Sequence, residues 1–562
     1  MTIKQIEENL RAKFSVPLEF RESRLADFET NLFFLLKDKP FGSSAKLGIS
    51  SAHSKEKLGF NELWQKYQKE LVEILPAFDL EFKNGFLNLY FKKNYLVEEL
   101  KKLQAEKLGY FKNDAWLSKK VNVEFVSANP TGPLHLGNLA GGPTGETLVN
   151  LFKLTGAKVT REFYVNDLGN QSEYFVQTII FHLVGDEKKF SMPENGYPGD
   201  YAKNLAENLR KNNEVAENIK LFIDEKLGLE ELVEKLRVVV IEKVLGDITK
   251  TLSRVDVGFD IFSFESQLIN QVEPTLRALK TKGFVKERDG AQWFYYPKHK
   301  ELLGDRECVL IRSDGKPTYF LKDIAYHLDK IKRGADLMID VWGPNHFGHV
   351  PRMMAAMEAF GYKDKLKIIL YQQISLKKDG KVVKMAKRSG NYVLADEILD
   401  SVKDKDIFKV FLFEKVLNSH LDFDLVNFEK NQKQSPAFYL KYISARIHGI
   451  KEKLGFYSSS EVEKIQDKPD YSNLGQAELN LLKRMVILPY KIGKAIDALE
   501  PHFIYLEAQN LAAEFHKFYE AAPILDAGDS GLASARLQIL LACEIALKQI
   551  AEILGIDLPE KM

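Results

Sequence analysis

The sequence predicts a multidomain α/β protein, with an open parallel-sheet domain flanked by an N-terminal α+β domain and a C-terminal all-α helical-bundle domain. Three observations carry that expectation. At 562 residues the chain is too long for one hydrophobic core and suggests three or four domains. Val121, Val123 and Phe125 alternate as a strand, a turn cluster follows at Asn129-Pro130-Thr131-Gly132-Pro133, and a helical stretch from Leu139 leads through Gly156 to a second extended run, Val159 to Val165. That is one β-α-β unit of the length a parallel crossover needs. Beyond about residue 396 the apolar positions fall at helical spacing instead.

Residues 1–112 alternate short helical patterns with β-like runs such as Gly85 to Phe91, and the charged stretch Glu98 to Lys107 reads as a helix leading out of a small α+β domain. From 113 to 395 strand and helix patterns alternate, which points to a parallel sheet. Ala335 to Trp342 is a further strand, and it ends in the polar loop Gly343-Pro-Asn-His346. Ligands of such sheets bind at the carboxyl ends of the strands. Residues from about 180 to 280 form a mostly helical, charged insertion, expected to elaborate the sheet. From 396 to 562 the chain reads as helical to its end: Leu537, Leu540, Leu541, Leu547, Ile550 and Leu554 share one stripe, and Leu511, Phe515 and Phe518 another.

Charged residues make up 28% of the chain and the net charge is +1, so any nucleic-acid surface must be a local basic patch. Cys308 and Cys543 lie far apart and build neither a metal site nor a disulfide framework, which fits a reducing compartment. No targeting segment and no apolar run of membrane-spanning length is present, so a cytoplasmic protein with no membrane association is expected.

The turn after Phe125 presents backbone N–H groups and the positive end of a helix dipole, where a phosphate chain is held. Its glycines fit neither the dinucleotide fingerprint nor the P-loop. In their place stands His135-Leu-Gly137-Asn138, and far downstream a second phosphate-suited segment, Lys384-Met385-Ala386-Lys387-Arg388. Read alone, each is weak, since a lysine-rich loop is usually a solvated face. Together, with a strand before the first and a domain's length between them, they resemble the paired HIGH and KMSKS signatures of class I aminoacyl-tRNA synthetases. Glu124-Phe-Val-Ser-Ala-Asn129-Pro, Tyr164 to Gln171, Tyr197-Pro-Gly-Asp-Tyr201 and Ser313 to His327 narrow the resemblance to the arginyl-tRNA synthetase family, over essentially the whole chain.

That resemblance implies a Rossmann-like catalytic domain that activates L-arginine with ATP, accompanied by Mg2+, and passes it to tRNA(Arg). Such enzymes generally need tRNA present before they activate the amino acid. His135, Gly137, Asn138, Lys384, Met385 and Lys387 are the expected ATP-binding residues, with His135, Asn138, Lys384 and Lys387 catalytic and no metal ligands in the protein. Phosphoryl chemistry of this kind needs positioning and charge neutralisation more than a nucleophile. Asn138 stands where the family motif usually has a second histidine, and Ala386 where KMSKS has serine. Asn138 keeps N–H donors but cannot become cationic. Some arginyl enzymes place a lysine just before the first signature; here Gly132 stands there, so the cation should come from the loop at 384–388, expected to close over the triphosphate.

A guanidinium needs carboxylates and acceptors in matching geometry. By family position these are Glu124 and Asp323, with Asn129 and Tyr319 completing the pocket; Tyr319 and Asp323 are one helical step apart and should face the same space. Asn345 or His346 is a further contact, with no ground for choosing between them. The resemblance also implies tRNA contacts at Asn31, in a domain that meets the tRNA elbow, and at Tyr442 and Arg446 in a helical anticodon-binding domain. The chain is expected to act as a monomer. Two other classes stay open at this stage, a nucleotidyltransferase sharing the fold and a non-catalytic RNA-binding protein.

Overall fold

The computed structural model describes residues 3–14, 20–22, 26–32, 59–298, 308–372, 374–378, 381–382, 394–402, 404–424, 428, 432–455, 468–524 and 528–562. The N-terminal region comprises α1 (Ile3–Phe14), β1 (Phe28–Thr30), α2 (Phe60–Ile74), β2 (Phe78–Lys83), β3 (Phe86–Phe91) and α3 (Lys93–Glu106). Its strands form an antiparallel sheet in the order β1-β3-β2. Asn84 and Gly85 close the β2–β3 hairpin with φ of 53° and 85°, the left-handed pair that a two-residue turn requires.

The central region begins with β4 (Lys120–Phe125), α4 (Leu136–Lys153), β5 (Lys158–Val165) and α5 (Asn170–Val184). Helix α4 can lie directly on β4 because Gly145 has no side chain; a Cβ there would sit 2.1 Å from Phe125. Next come α6 (Asp200–Leu209), α7 (Asn213–Ile223), α8 (Leu229–Ser253), β6 (Ile261–Phe264) and α9 (Glu265–Thr281). A small antiparallel sheet of β7 (Val285–Arg288), β8 (Ala291–Phe294) and β9 (Val309–Ile311) precedes α10 (Tyr319–Lys332), β10 (Leu337–Trp342), α11 (Val350–Phe360) and β11 (Leu366–Leu370).

The main sheet has the order β11-β10-β4-β5-β6 with every pair parallel. From β4 the chain winds outward through β5 to β6, then returns to lay β10 on the other side of β4. The topological switch point therefore falls between β4 and β10, and the crevice beyond their carboxyl ends is where a ligand of this fold belongs.

Two expectations are corrected here. The helical insertion is narrower than 180–280, because Ile261–Phe264 pairs with β5 as a strand of the main sheet; four residues in a charged setting give too short an apolar run to be read as such. The stretch after 396 is not wholly helical either. After β12 (Ile374–Lys378), β13 (Lys381–Val382), α12 (Ala395–Ser401) and α13 (Lys405–Phe411), the run Leu421–Asp424 forms β14 and pairs in parallel with β12. Its alternation is only four residues long, with Leu421 and Phe423 buried.

Helices α14 (Pro436–Lys453), α15 (Gln476–Ala498), α16 (His502–Ala521) and α17 (Ser530–Leu554) form the C-terminal bundle. Leu511, Phe515 and Phe518 are buried as their stripe predicts, as are Leu537, Leu540, Leu547, Ile550 and Leu554, whereas Leu541 stays half-buried at the edge. Among the described residues no helix is long and apolar enough to cross a membrane. Cys308 and Cys543 are both buried, and they form no disulfide with each other.

Candidate functional site

The site starts where β4 ends. Val126 and Ser127 carry φ of 68° and 36°, and the Ser127 N–H reaches back to the Phe125 carbonyl at 2.9 Å. A β-branched residue with positive φ costs about 1–3 kcal/mol and persists only where its surroundings impose it. Ser127 supplies that constraint. Its hydroxyl donates to Glu124 Oε1 at 2.9 Å and accepts the Tyr164 N–H of β5 at 3.0 Å. Asn129, just beyond, donates to Gln171 Oε1 on α5 at 2.7 Å.

The same loop runs into α4, whose N-cap is His135, so the helix begins at Leu136 and not at Leu139. The imidazole Nδ1 accepts the Asn138 N–H at 3.2 Å, which leaves the ring's proton on Nε2 as a donor. Gly137 makes room for that ring, since a Cβ there would lie 3.0 Å from His135 Cε1. Asn138 Oδ1 is buried with no hydrogen-bond partner among the described residues. The chain re-enters the described structure at Leu394, bridged to His135, and Ala395 N–H binds the Leu134 carbonyl at 2.8 Å. Lys384, Met385 and Lys387 lie outside the described residues.

Opposite this turn, α10 carries Tyr319, Asp323, His327 and Lys330 along one face. Tyr319 is exposed and its hydroxyl reaches Gly169, the N-cap of α5. The other three enter a continuous chain of ion pairs. His349 Nε2 meets Asp323 Oδ2 at 2.5 Å, and His327 Nδ1 lies 3.1 Å from Asp323 Oδ1. His327 Nε2 meets Asp340 Oδ2 of β10 at 2.6 Å. Lys330 Nζ then bridges Asp340 Oδ1 at 2.9 Å and Glu124 Oε2 at 2.6 Å.

Burial opposes charge throughout this chain, and partners override it in most places. Burial would depress His327, but Asp340 and Asp323 push it up to about 10. Burial would raise Asp323, but His327 and His349 hold it well below the usual carboxylate range. Lys330 is likewise desolvated yet held above its ordinary value by Asp340 and Glu124. For Glu124 burial outweighs Lys330 and keeps the carboxyl above the usual range. Burial and the fields of Glu265 and Asp323 raise the Tyr164 hydroxyl, with a smaller contribution from Glu124, so this side chain senses both acids.

The structure thus brings Glu124, Asn129, Tyr319, Asp323, His135, Gly137 and Asn138 to the carboxyl ends of β4 and β10, but not as equals. Both carboxylates have both oxygens partnered, Asp323 by His327 and His349 and Glu124 by Ser127 and Lys330, but Asp323 keeps 25% of its side chain accessible and Glu124 only 6%. Of the loop after β10, His349 touches Asp323 and stacks on Trp342 at 5.5 Å, and His346 packs against the same ring in a tilted arrangement at 5.4 Å. Lys330, Asp340, His349 and Ser127 were given no role from the sequence. Asp340 left a signal: it is the one acid inside the otherwise apolar run Leu337–Trp342.

The tRNA candidates lie elsewhere. Asn31 follows β1 and is half-buried. On α14 the exposed Arg446 donates to the Tyr442 hydroxyl at 2.7 Å, and its guanidinium lies 4.7 Å from the Tyr442 ring and 5.5 Å from Tyr519. His516 extends this platform at 5.3 Å from Tyr442. Among the described residues no cluster of three or more His, Cys, Asp or Glu could hold a metal ion.

Known proteins match both the central region and the C-terminal bundle. Residues 99–424 match the family described as tRNA synthetases class I (R), catalytic domain, and residues 440–562 match the DALR anticodon binding domain. The arginine–tRNA ligase of Carboxydothermus hydrogenoformans is 36% identical over 484 residues, covering 85% of this chain and 84% of its own. That of Desulforudis audaxviator is 35% identical over 560 residues, covering 96% and 92%. The solved Thermus thermophilus arginyl-tRNA synthetase superposes over 100% of both chains with a TM-score of 0.74 at 20% identity, a likeness of fold.

Proposed function

This chain belongs to the arginyl-tRNA synthetases of class I, and from that premise we propose how its own residues divide the ligation of arginine to tRNA. The activity is that of an arginine–tRNA ligase. The arginine carboxylate forms a bond to the α-phosphorus of ATP as the α–β anhydride breaks and pyrophosphate leaves. The terminal ribose hydroxyl of tRNA(Arg) then attacks the activated carbonyl and AMP departs.

His135 Nε2, aimed from the head of α4, donates to the phosphate chain, with the helix dipole adding to its effect. Gly137 and Asn138 complete the ATP contact, and the buried, unpartnered Asn138 Oδ1 fits a group awaiting a ligand donor. Lys384, Met385 and Lys387 are assigned to the triphosphate from their sequence alone, with the two lysines neutralising the departing pyrophosphate. Magnesium enters with ATP as part of the substrate.

Asp323 is the direct carboxylate partner of the arginine guanidinium, because it is the accessible carboxylate of the ion-pair chain. Asn129 and Tyr319 border the same crevice, and Glu124 supplies the second negative charge from behind. Tyr442 and Arg446 present a stacking platform of the kind that holds unpaired bases, and Asn31 is assigned to the tRNA elbow. Within the chain we assign 1–112 to tRNA elbow contact, 113–395 to catalysis and 396–562 to anticodon binding, in a monomeric cytoplasmic enzyme.

The observation that carries this reading is the meeting of the His135 helix start and the Asp323 carboxylate chain at the β4/β10 switch point. Arginine-dependent ATP–pyrophosphate exchange tests it. Exchange should require tRNA and should collapse when citrulline, neutral but of similar shape, replaces arginine. Equal exchange with citrulline would remove the carboxylates from the pocket.

A further inference from the structure

Lys330 is wholly enclosed, and no step of the ligation calls for an ammonium at that place. It stands at the inner end of a line of side chains on α10. Tyr319 is exposed, Asp323 is half-buried, and His327 and Lys330 are buried beneath the sheet. An enclosed ammonium is costly unless it is paired and hydrogen-bonded, and an apolar side chain would fill this volume without that requirement.

The charges of the connected set can be counted. It holds three carboxylates, Asp340, Asp323 and Glu124, and two cations between them, Lys330 and His327. Both Glu124 oxygens accept, from Ser127 and Lys330. His327 is cationic on geometry: Nδ1 faces the Asp323 carbonyl at 2.8 Å and Nε2 faces Asp340 Oδ2 at 2.6 Å, so both nitrogens must donate. His349 closes the outer end with a hydrogen bond that a neutral ring can make. Neighbouring acids have cations of their own, Glu162 and Asp329 sharing Arg333 and Glu265 meeting Lys322, and lie outside the connected set. The set is left with one net negative charge, and its accessible carboxylate is Asp323.

We propose that Lys330 is a positioning and specificity-determining residue that trims the charge of the arginine site to the single negative charge one guanidinium neutralises, while fixing Glu124 against β10. This rests on the reading that Asp323 and Glu124 receive the arginine side chain. Without Lys330, Glu124 and Asp340 would face each other with no cation between them, and the carboxylate geometry behind the pocket would be lost.

The test compares KM for arginine and for ATP in tRNA aminoacylation by the full-length enzyme. Lys330→Met should raise the arginine KM by about tenfold or more and leave the ATP KM within about twofold. Lys330→Met/Asp340→Asn, which removes one charge of each sign, should restore the arginine KM to within about threefold of wild type. An unmoved arginine KM in folded Lys330→Met overturns the proposal, as that is what a purely structural lysine would give. Should Lys330→Met not fold, the double variant decides: an arginine KM near wild type supports the proposal, and one raised by about tenfold overturns it. Asp323→Asn separates this idea from the pocket beneath it. An unmoved arginine KM there removes the pocket and the proposal together, whereas a raised value there with Lys330→Met unmoved removes the proposal alone.

Discussion

The interior between α10 and the main sheet and the interior of the C-terminal bundle are both closed to solvent, but opposite chemistry fills them. Under β4 and β10 the enclosed groups are Glu124, His327, Lys330 and Asp340, joined end to end by ion pairs of 2.6–2.9 Å. In the bundle they are mostly apolar, Leu540, Leu547, Ile550 and Phe515 among them; the buried polar groups are scattered and include Ser534, Gln549, Glu478 paired to Arg536, and Glu507, which meets Arg484 only at 3.6 Å. Apolar packing stabilises a bundle whatever its sequence detail, provided volume is kept. A chain of buried charges does so only if every link is present, and it gains its meaning from the end left open toward the crevice. One interior serves to hold a shape, and the other holds a charge distribution.

Breaking a link should therefore cost more than removing an equal volume of hydrocarbon, and should reach the substrate as well. Asp340→Leu takes a carboxylate from both Lys330 and His327 and leaves each with one partner, Glu124 and Asp323, so urea unfolding should show a loss of about 3–5 kcal/mol and aminoacylation a raised arginine KM. Leu540→Ala in α17 should cost about 2–5 kcal/mol by the cavity it leaves, with the arginine KM of the folded enzyme unchanged. A Leu540→Ala enzyme with an altered arginine KM would erase the distinction between the two interiors.

The same contrast explains what the sequence disclosed. The bundle was legible because its stabilising surface is local: residues that pack together recur at helical spacing, as Leu511, Phe515 and Phe518 do. The β4 strand and the His135 turn were legible for the same reason, since alternation, turn residues and an N-cap are neighbours in sequence. Lys330 was not, because a lysine on a helix reads as solvated until the acids 206 and 10 residues away are known to face it. Strands β6 and β14 were missed for want of length, being four residues each and fixed by partners far along the chain. In sequence Glu124 reads as a pocket carboxylate, while its two partners, Ser127 and Lys330, emerge only from the fold.

Acidity should sharpen the comparison at a smaller scale, because the two interiors titrate in different windows. His327 is raised from 6.5 to about 10, so its stabilisation is complete below pH 6.5 and is lost as pH rises toward 10. Glu507 is raised from 4.5 to about 7 by burial, against the pull of Arg484; its contribution is complete below pH 4.5 and is lost as pH rises through 7. Each group can change stability by at most about 1.4 kcal/mol per pH unit. Urea unfolding across pH 5 to 10 should therefore lose its lower-pH component in Glu507→Gln and its higher-pH component in His327→Gln. Identical profiles for the two variants would mean that neither interior titrates as its contacts require.

The smallest effect is expected outside both interiors, on the surface of α14. Arg446 is exposed and spends its guanidinium on the Tyr442 and Tyr519 rings, so it contributes little to folding. An exposed cation–π contact is worth about 0.5–1 kcal/mol, which sets the scale on which the platform can be loosened. Arg446→Ala should accordingly raise the tRNA KM by roughly two- to fivefold, leave the arginine KM in place and shift the urea midpoint little. Arg446→Lys keeps the charge but loses the planar stack, so it should behave like the alanine variant if stacking orders the rings and like wild type if charge alone draws the RNA. A tRNA KM unmoved in both would take the platform out of the RNA contact and leave the bundle a purely structural body, with no chemical end open to a partner.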